Sequence, residues 1–244
     1  MRDVLVVFSN PLGERHEEFN DWYTHVHIRD VMRMPASIAV QRFTRVEDLR
    51  PGSAYRYLAI YETDDTAACT AAHAVAMTPK LPISETFDLA SPAHYFRLRA
   101  FLTADPVADR NGDAVIAEFE EPAGFDLSAA ARRIGKDGIL SAAHFGALGD
   151  QLIPGLPARR ELAIFRLSQS DATLRGFQLR GVVPDGALLT HYRALIPRLS
   201  AAAVLDASTE ERALEAKARE ALGDRQHRFE FKGGIVRDRH DTSR

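Results

Sequence analysis

Three side chains near the N-terminus have the types and spacing that proton transfer needs. Tyr23 and His27 are four residues apart, and Asp30 follows three later. On a helix this spacing lines a phenol, an imidazole and a carboxylate along one face. A histidine titrates near neutrality, so it can take a proton from carbon or oxygen and return it elsewhere without a metal. His27 is therefore the candidate general acid/base, with Tyr23 and Asp30 to hold its tautomer. Trp22, the only tryptophan, and Phe19 three residues before it would give a pocket apolar walls. His25 is offset by two residues and on an α-helix points about 160° away from His27. It reads as a surface residue, and two histidines at that step cannot readily chelate one metal.

These residues need a folded frame, and the composition supplies one. The 244 residues are 45% hydrophobic and 27% charged, as in a globular protein with ample core material. A net charge of -3 implies neither a polyanion partner nor membrane attraction, and no basic stretch is interleaved with aromatics, so nucleic acid is not an expected partner. The single cysteine, Cys69, excludes an internal disulfide and a multi-cysteine metal cluster. The apolar run Val4–Phe8 is too short for a signal-peptide core or a membrane span. The expectation is a cytoplasmic protein with no membrane association.

Val4 to Ser9 reads as a buried strand ending at the turn cluster Asn10-Pro11-Leu12-Gly13. A helix follows from Glu14 to about Met34, where Pro35 stops it. Ser37 to Thr44 and Tyr55 to Glu62 read as strands, Asp64 to Met77 as an alanine-rich helix, and His94 to Leu102 as a further strand. The order β-α-β-β-α-β is the ferredoxin-like arrangement.

The pattern then recurs. Leu58-Ala59-Ile60-Tyr61 is echoed by Leu162-Ala163-Ile164-Phe165, while Val115 to Glu120 and Ile139 to Ala147 match the first two strands in character. The expected fold is α+β: tandem ferredoxin-like units in a dimeric α/β-barrel-type arrangement. The expected domains are 1–104, carrying the Tyr23/His27/Asp30 helix, and 113–236, a degenerate copy with extra C-terminal helices. Residues 106–113 would link them, and 237–244 would form a polar tail. The second copy carries Ala129, Ala130 and Ala131 where the first has its histidines, so one chemical site per chain is expected. Leu188 to Ala203 and Thr209 to Leu222 read as helices, and Arg228 to Lys232 as a final edge strand.

Phe19-Asn20-Asp21-Trp22-Tyr23, then His27 and Asp30, then a proline before a strand ending in Gln41-Arg42-Phe43, resembles the EthD-like branch of the dimeric α/β-barrel superfamily. One departure is Ile28-Arg29 after the histidine, where the family usually has a small apolar residue and proline. The resemblance implies face-to-face ferredoxin-like sheets, paired in a homodimer or in a fused repeat. It also implies cofactor-free lyases, dehydratases, decarboxylases, cyclases or oxygenases acting on aromatic or polyketide-like molecules, with haem-binding branches elsewhere in the superfamily.

Strand alternation puts Gln41 and Phe43 on one face and Arg42 on the other. An arginine facing the barrel interior would recognise a carboxylate or phenolate. Arg42 and Tyr61 are candidate substrate contacts. Which of His94, Tyr95, Arg97 and His144 face a cavity the sequence leaves open. No dinucleotide fingerprint, P-loop, zinc-protease or nucleophile-elbow motif occurs. The expected function is a cofactor-independent lyase on an aromatic or conjugated small molecule, with no metal. The alternatives are a non-catalytic binding protein and a cofactor-free or haem-dependent monooxygenase.

Overall fold

The computed structural model describes residues 3–46, 53–76, 81–91, 93–102, 112–120, 125–134, 139–148, 161–167, 178–227, 229–232 and 235–238. The expected linker up to Asn111 and the tail from residue 239 lie outside the described residues. The first β-α-β-β-α-β series is present as β1 (Asp3–Ser9), α1 (His16–Trp22) with its continuation to α2 (Ile28–Met32), β2 (Ser37–Val46), β3 (Tyr57–Thr63), α3 (Thr66–Ala76) and β4 (Ala93–Phe101). Pro35 and Ala36 end the first helix. Ala36 adopts the left-handed region at φ 64°, a conformation costing a non-glycine residue about 1–2 kcal/mol.

The second series runs β5 (Asp113–Phe119), α4 (Leu127–Ile134), β6 (Ile139–Ala147), β7 (Glu161–Leu167) and β8 (Leu188–Ala194). A two-residue strand, β9 (Leu199–Ser200), then leads to α5 (Ala201–Leu205) and α6 (Thr209–Leu222). β10 (Phe229–Lys232) and β11 (Ile235–Asp238) pair with each other. The edge strand expected at Arg228–Lys232 is thus half of a separate two-stranded sheet, not part of the main one.

Strand order explains the closure. β1 pairs with β3 and β4, and β3 also with β2, giving the ferredoxin-like order β4-β1-β3-β2. β5 pairs in the same way with β7 and β8, giving β8-β5-β7-β6. β4 then pairs with β6 and β2 with β8, so the two sheets join at both ends into one closed antiparallel eight-stranded barrel. No ladder edge is left on the ring.

The helix expected from Leu188 is strand β8. Leu188, Leu189 and Ala194 suit either state, and pairing of five residues with β5 overrides local propensity. Thr190 and Tyr192 alternate with Leu189 and His191, as a strand requires.

The described residues form two compact units. One holds the barrel with α4 (within 3–9, 39–64 and 91–199); the other holds α1, α2, α3, α5 and α6 with their connections (within 10–38, 65–90 and 200–238). Val4, Val6, Phe8, Phe43, Leu58, Ile60, Phe96, Ile116, Phe145 and Ile164 fill the barrel interior, contributed by both sequence halves. A second cluster, including Val115, Phe119, Leu127, Phe165 and Leu189, packs the opposite face of the second sheet.

Charge also enters the barrel unit. Arg198 clamps the Glu62 carboxylate through Nε at 2.7 Å and Nη2 at 2.9 Å, and Glu62 is only 2% exposed. Arg166 Nη2 donates to Gln41 Oε1 at 2.5 Å, and its guanidinium lies 4.9 Å above the Phe43 ring. Burial pushes the Arg166 pKa down to about 10, against the attraction of Glu62 and Asp113. Removing Arg198 takes a bidentate partner from a carboxylate buried in the barrel unit. Arg198→Met should lower unfolding stability by about 3 kcal/mol, read as a lower urea midpoint at constant slope. An unchanged midpoint would show that the clamp contributes nothing.

Candidate functional site

The helix that carries the motif is not uniformly α. Tyr23–His27 form a π-helical turn between α1 and α2, and the Ile28 amide donates to the Tyr23 carbonyl five residues back. One residue is thereby added to the turn. Positions five apart then lie over one another, where a regular α-helix would separate them by about 140°. Trp22 and His27 accordingly meet with ring centroids 4.9 Å apart, and Tyr23 meets His27 edge-on at 4.8 Å. The α-helical spacing expected from sequence is corrected here, and the correction tightens the cluster.

Phe19 contacts Tyr23 at 5.5 Å and Trp22 at 6.0 Å. Tyr23 and Phe19 are fully buried, Trp22 is buried and His27 is half-buried, with its Nδ1 atom inside. Phe87, which sequence reasoning missed, completes the aromatic cluster. It stacks on Phe19 at 6.2 Å and meets Trp22 at 5.8 Å.

The segment bearing Phe87 is tied to the helix unit by backbone. Leu12 donates to Thr86 O at 2.7 Å, Asp88 to Asn10 O at 3.2 Å, and the Trp22 indole to Pro82 O at 3.1 Å. The buried Ser84 and Thr86 hydroxyls bond each other at 2.8 Å. Little in the sequence marks this strap, because its order comes from distant carbonyls and not from periodicity.

The Asp30 carboxylate is bound by Arg219 on α6 and lies 3.4 Å from Arg33. Arg33 in turn holds Glu215 with two bonds of 2.8 Å, and Arg219 holds it from the other side at 2.8 Å. This lattice fastens α2 to α6. Ser208 and Glu211 close a capping box at the start of α6.

His25 is not simply a surface residue. With Trp22, Asp21 and Glu18 it lines one wall of a groove of about 230 Å³. Leu214, Lys217, Ala218, Ala221, Leu222 and Arg225 of the α6 region form the other wall, and Ser84 also lines it. Trp22 therefore serves both the groove and the His27 cluster.

Arg42 and Tyr61 belong to the barrel unit. Arg42 lies opposite the interior face that holds Phe43, buried over the Tyr57 ring at 5.7 Å. Arg166, which the sequence did not single out, lies on the interior face with Gln41 and Phe43. Tyr61 is buried on β3, paired with Leu5. His94 shares the interior face with Phe96, 6.4 Å away, Tyr95 is buried on the opposite face, and Arg97 reaches Asp3 at 3.4 Å. His144 lies 2.8 Å from Glu161 between the rings of Phe119 and Phe125, and burial pushes its pKa down against the pull of Glu161. Among the described residues no group of three or more His, Cys, Asp or Glu side chains could hold a metal ion. None of their helices is long and apolar enough to cross a membrane.

Comparison with solved structures places this architecture. An anthrone oxidase-like protein aligns over 82% of this chain and 93% of its own, at 12% identity and a TM-score of 0.51. The fold is of the dimeric α/β-barrel type. A monooxygenase-like protein from Lactobacillus acidophilus aligns over 82% of this chain and 96% of its own (7% identity, TM-score 0.49). One from Fusobacterium nucleatum aligns over 81% and 94% (10%, 0.47). No family model and no curated protein matches the sequence.

The lattice has a pH signature. Hydrogen bonding to Arg33, then to Arg219, holds the Glu215 carboxyl at about 2 against an ordinary 4.5, although burial opposes the shift. Its share of stability is therefore complete above pH 4.5 and is lost as the pH falls toward 2. Glu215→Gln should remove this component and flatten the acid limb of a stability profile across that window. An unchanged acid limb would show that the lattice does not couple to folding.

Proposed function

We propose that the chain is a small-molecule enzyme of the EthD-like type in which His27 moves a proton on an aromatic or conjugated substrate. The observation that carries this reading is the half-buried His27 imidazole fixed against Trp22 and Tyr23 by the π turn. π turns inside α-helices occur frequently at functional sites, and general bases work best when their orientation is fixed. Tyr23 positions the ring, and Trp22 and Phe19 supply apolar walls. Asp30 acts at one remove, by holding the helix to α6.

The favoured reaction is lyase-type. The neutral imidazole takes a proton from a carbon next to a carbonyl, and the electron pair moves onto the carbonyl oxygen. The enolate then expels a leaving group from the neighbouring carbon, and the imidazolium returns the proton to that group.

The likeness to an anthrone oxidase-like protein supports a second reading with the same first step. The carbanion would pass its electrons to dioxygen, converting a methylene to a carbonyl with release of one water. An oxygen electrode separates the two fates, and an absorbance scan for a Soret band detects haem.

His27→Ala or His27→Gln should lower turnover about a hundredfold or more on substrates found by screening aromatic and polyketide-like compounds, with little change in melting temperature. A folded His27→Ala protein with undiminished turnover would overturn the assignment.

A further inference from the structure

Helix α4 carries no histidine, yet it walls a pocket in the barrel unit. The pocket measures about 370 Å³. Ser128, Ala131 and Arg132 line it from α4, Ile139 and Leu140 from the start of β6, and Leu102 from just past β4. Neighbouring residues of a regular strand face opposite sides, which would turn either Ile139 or Leu140 away. The ladder with β7 skips Leu140: Ile139 pairs with Leu167 and Ser141 with Arg166. Such a bulge adds one residue and re-aims the side chains beside it. Gly112 leaves room for this, because a Cβ there would come within 2.7 Å of Leu140 Cδ1. The Leu102 amide donates to Ala142 O at 3.0 Å, which holds that wall to β6.

The polar groups of this pocket stand on one stripe of α4. Ser128 and Arg132 are four residues apart, so their side chains are neighbours on the helix surface. Arg132 is the only ionisable residue of the lining. Asp126 Oδ2 lies 3.8 Å from Arg132 Nη2, beyond hydrogen-bond length. The other oxygen, Oδ1, caps α4 by accepting the Ser128 and Ala129 amides at 2.8 and 3.0 Å. Among the described residues, neither the Arg132 guanidinium nor the Ser128 hydroxyl has a hydrogen-bond partner. Both residues are exposed, so a ligand can reach them from solvent.

We propose that this pocket binds a medium-chain alkyl carboxylate, its acid group held by Arg132 and Ser128 and its chain lying against Leu102, Ile139 and Leu140. One positive charge in an otherwise uncharged lining selects a single negative charge. The planar guanidinium matches both carboxylate oxygens, and the hydroxyl adds a third donor. The apolar lining is aliphatic and holds no aromatic ring, which suits an alkyl chain better than a stacked ring. The site belongs to the barrel unit and stands whether or not His27 is a catalytic base.

Octanoate titrated into the full chain in a calorimeter should bind saturably. Octanamide, its neutral counterpart, should bind about tenfold or more weakly, because the charge-assisted bonds are lost. Arg132→Met should bring octanoate down to the affinity of the amide and leave the amide itself unaffected. Its melting temperature without ligand should match wild type, since an exposed ion pair adds little stability. Ala131→Leu, which fills the apolar space, should weaken acid and amide alike by about tenfold or more. The proposal is overturned if octanoate does not bind, if acid and amide bind equally, or if Arg132→Met keeps the preference for the acid. Wild-type affinity for both ligands in Ala131→Leu would also overturn it, by placing them outside this pocket.

Discussion

The hydrogen-bond register of one turn sets the geometry around His27: the Ile28 amide reaches the Tyr23 carbonyl, five residues back. Skipping one carbonyl widens the turn and brings His27 onto the row of rings formed by Phe19, Trp22 and Tyr23. The aromatic packing and the π turn are mutually dependent. Without the extra residue His27 would leave Trp22, and without the rings nothing would favour the wider turn over a regular one. The strap carrying Phe87 and the indole bond to Pro82 then hold the row from outside the helix.

Charge is used differently in the two units. In the barrel, Glu62–Arg198 and Arg166–Gln41 are buried in an otherwise apolar setting. A buried pair of this kind offers little stability over a hydrophobic one and penalises any packing that separates the partners. In the helical unit, Arg33, Arg219, Glu215 and Asp30 form a partly exposed lattice between two helices. Networks of this kind select a register for the helices more than they add energy.

Much of the architecture was legible in the sequence, because period-2 alternation and the repeated Leu-Ala-Ile-aromatic strand report directly on a buried sheet. The order of elements in the first half, the repeat and α6 follow from such local signals. Strand β8 was not legible, since Leu188–Ala194 is ambiguous alone and its state is decided by pairing with β5. The grouping of Phe19, Trp22, Tyr23 and His27 could be read from spacing. The π turn could not, because hydrogen-bond register leaves no mark in residue type. Asp30 was matched to His27 by helical spacing, but its partner is Arg219, 189 residues away in sequence. Phe87 and Arg166 were missed for the same reason: their roles rest on long-range neighbours.

Both seams of the barrel, β4 with β6 and β2 with β8, join strands of one chain. In a homodimer each substitution is made twice, so a residue cannot be tuned for chemistry on one side and for packing on the other. Covalent fusion removes that symmetry. The first half can keep histidines on its helix while the second carries Ala129, Ala130 and Ala131 in the corresponding connection, and each can drift without the other. The chain thus has the topology of a symmetric pair and the mutational freedom of two separate proteins.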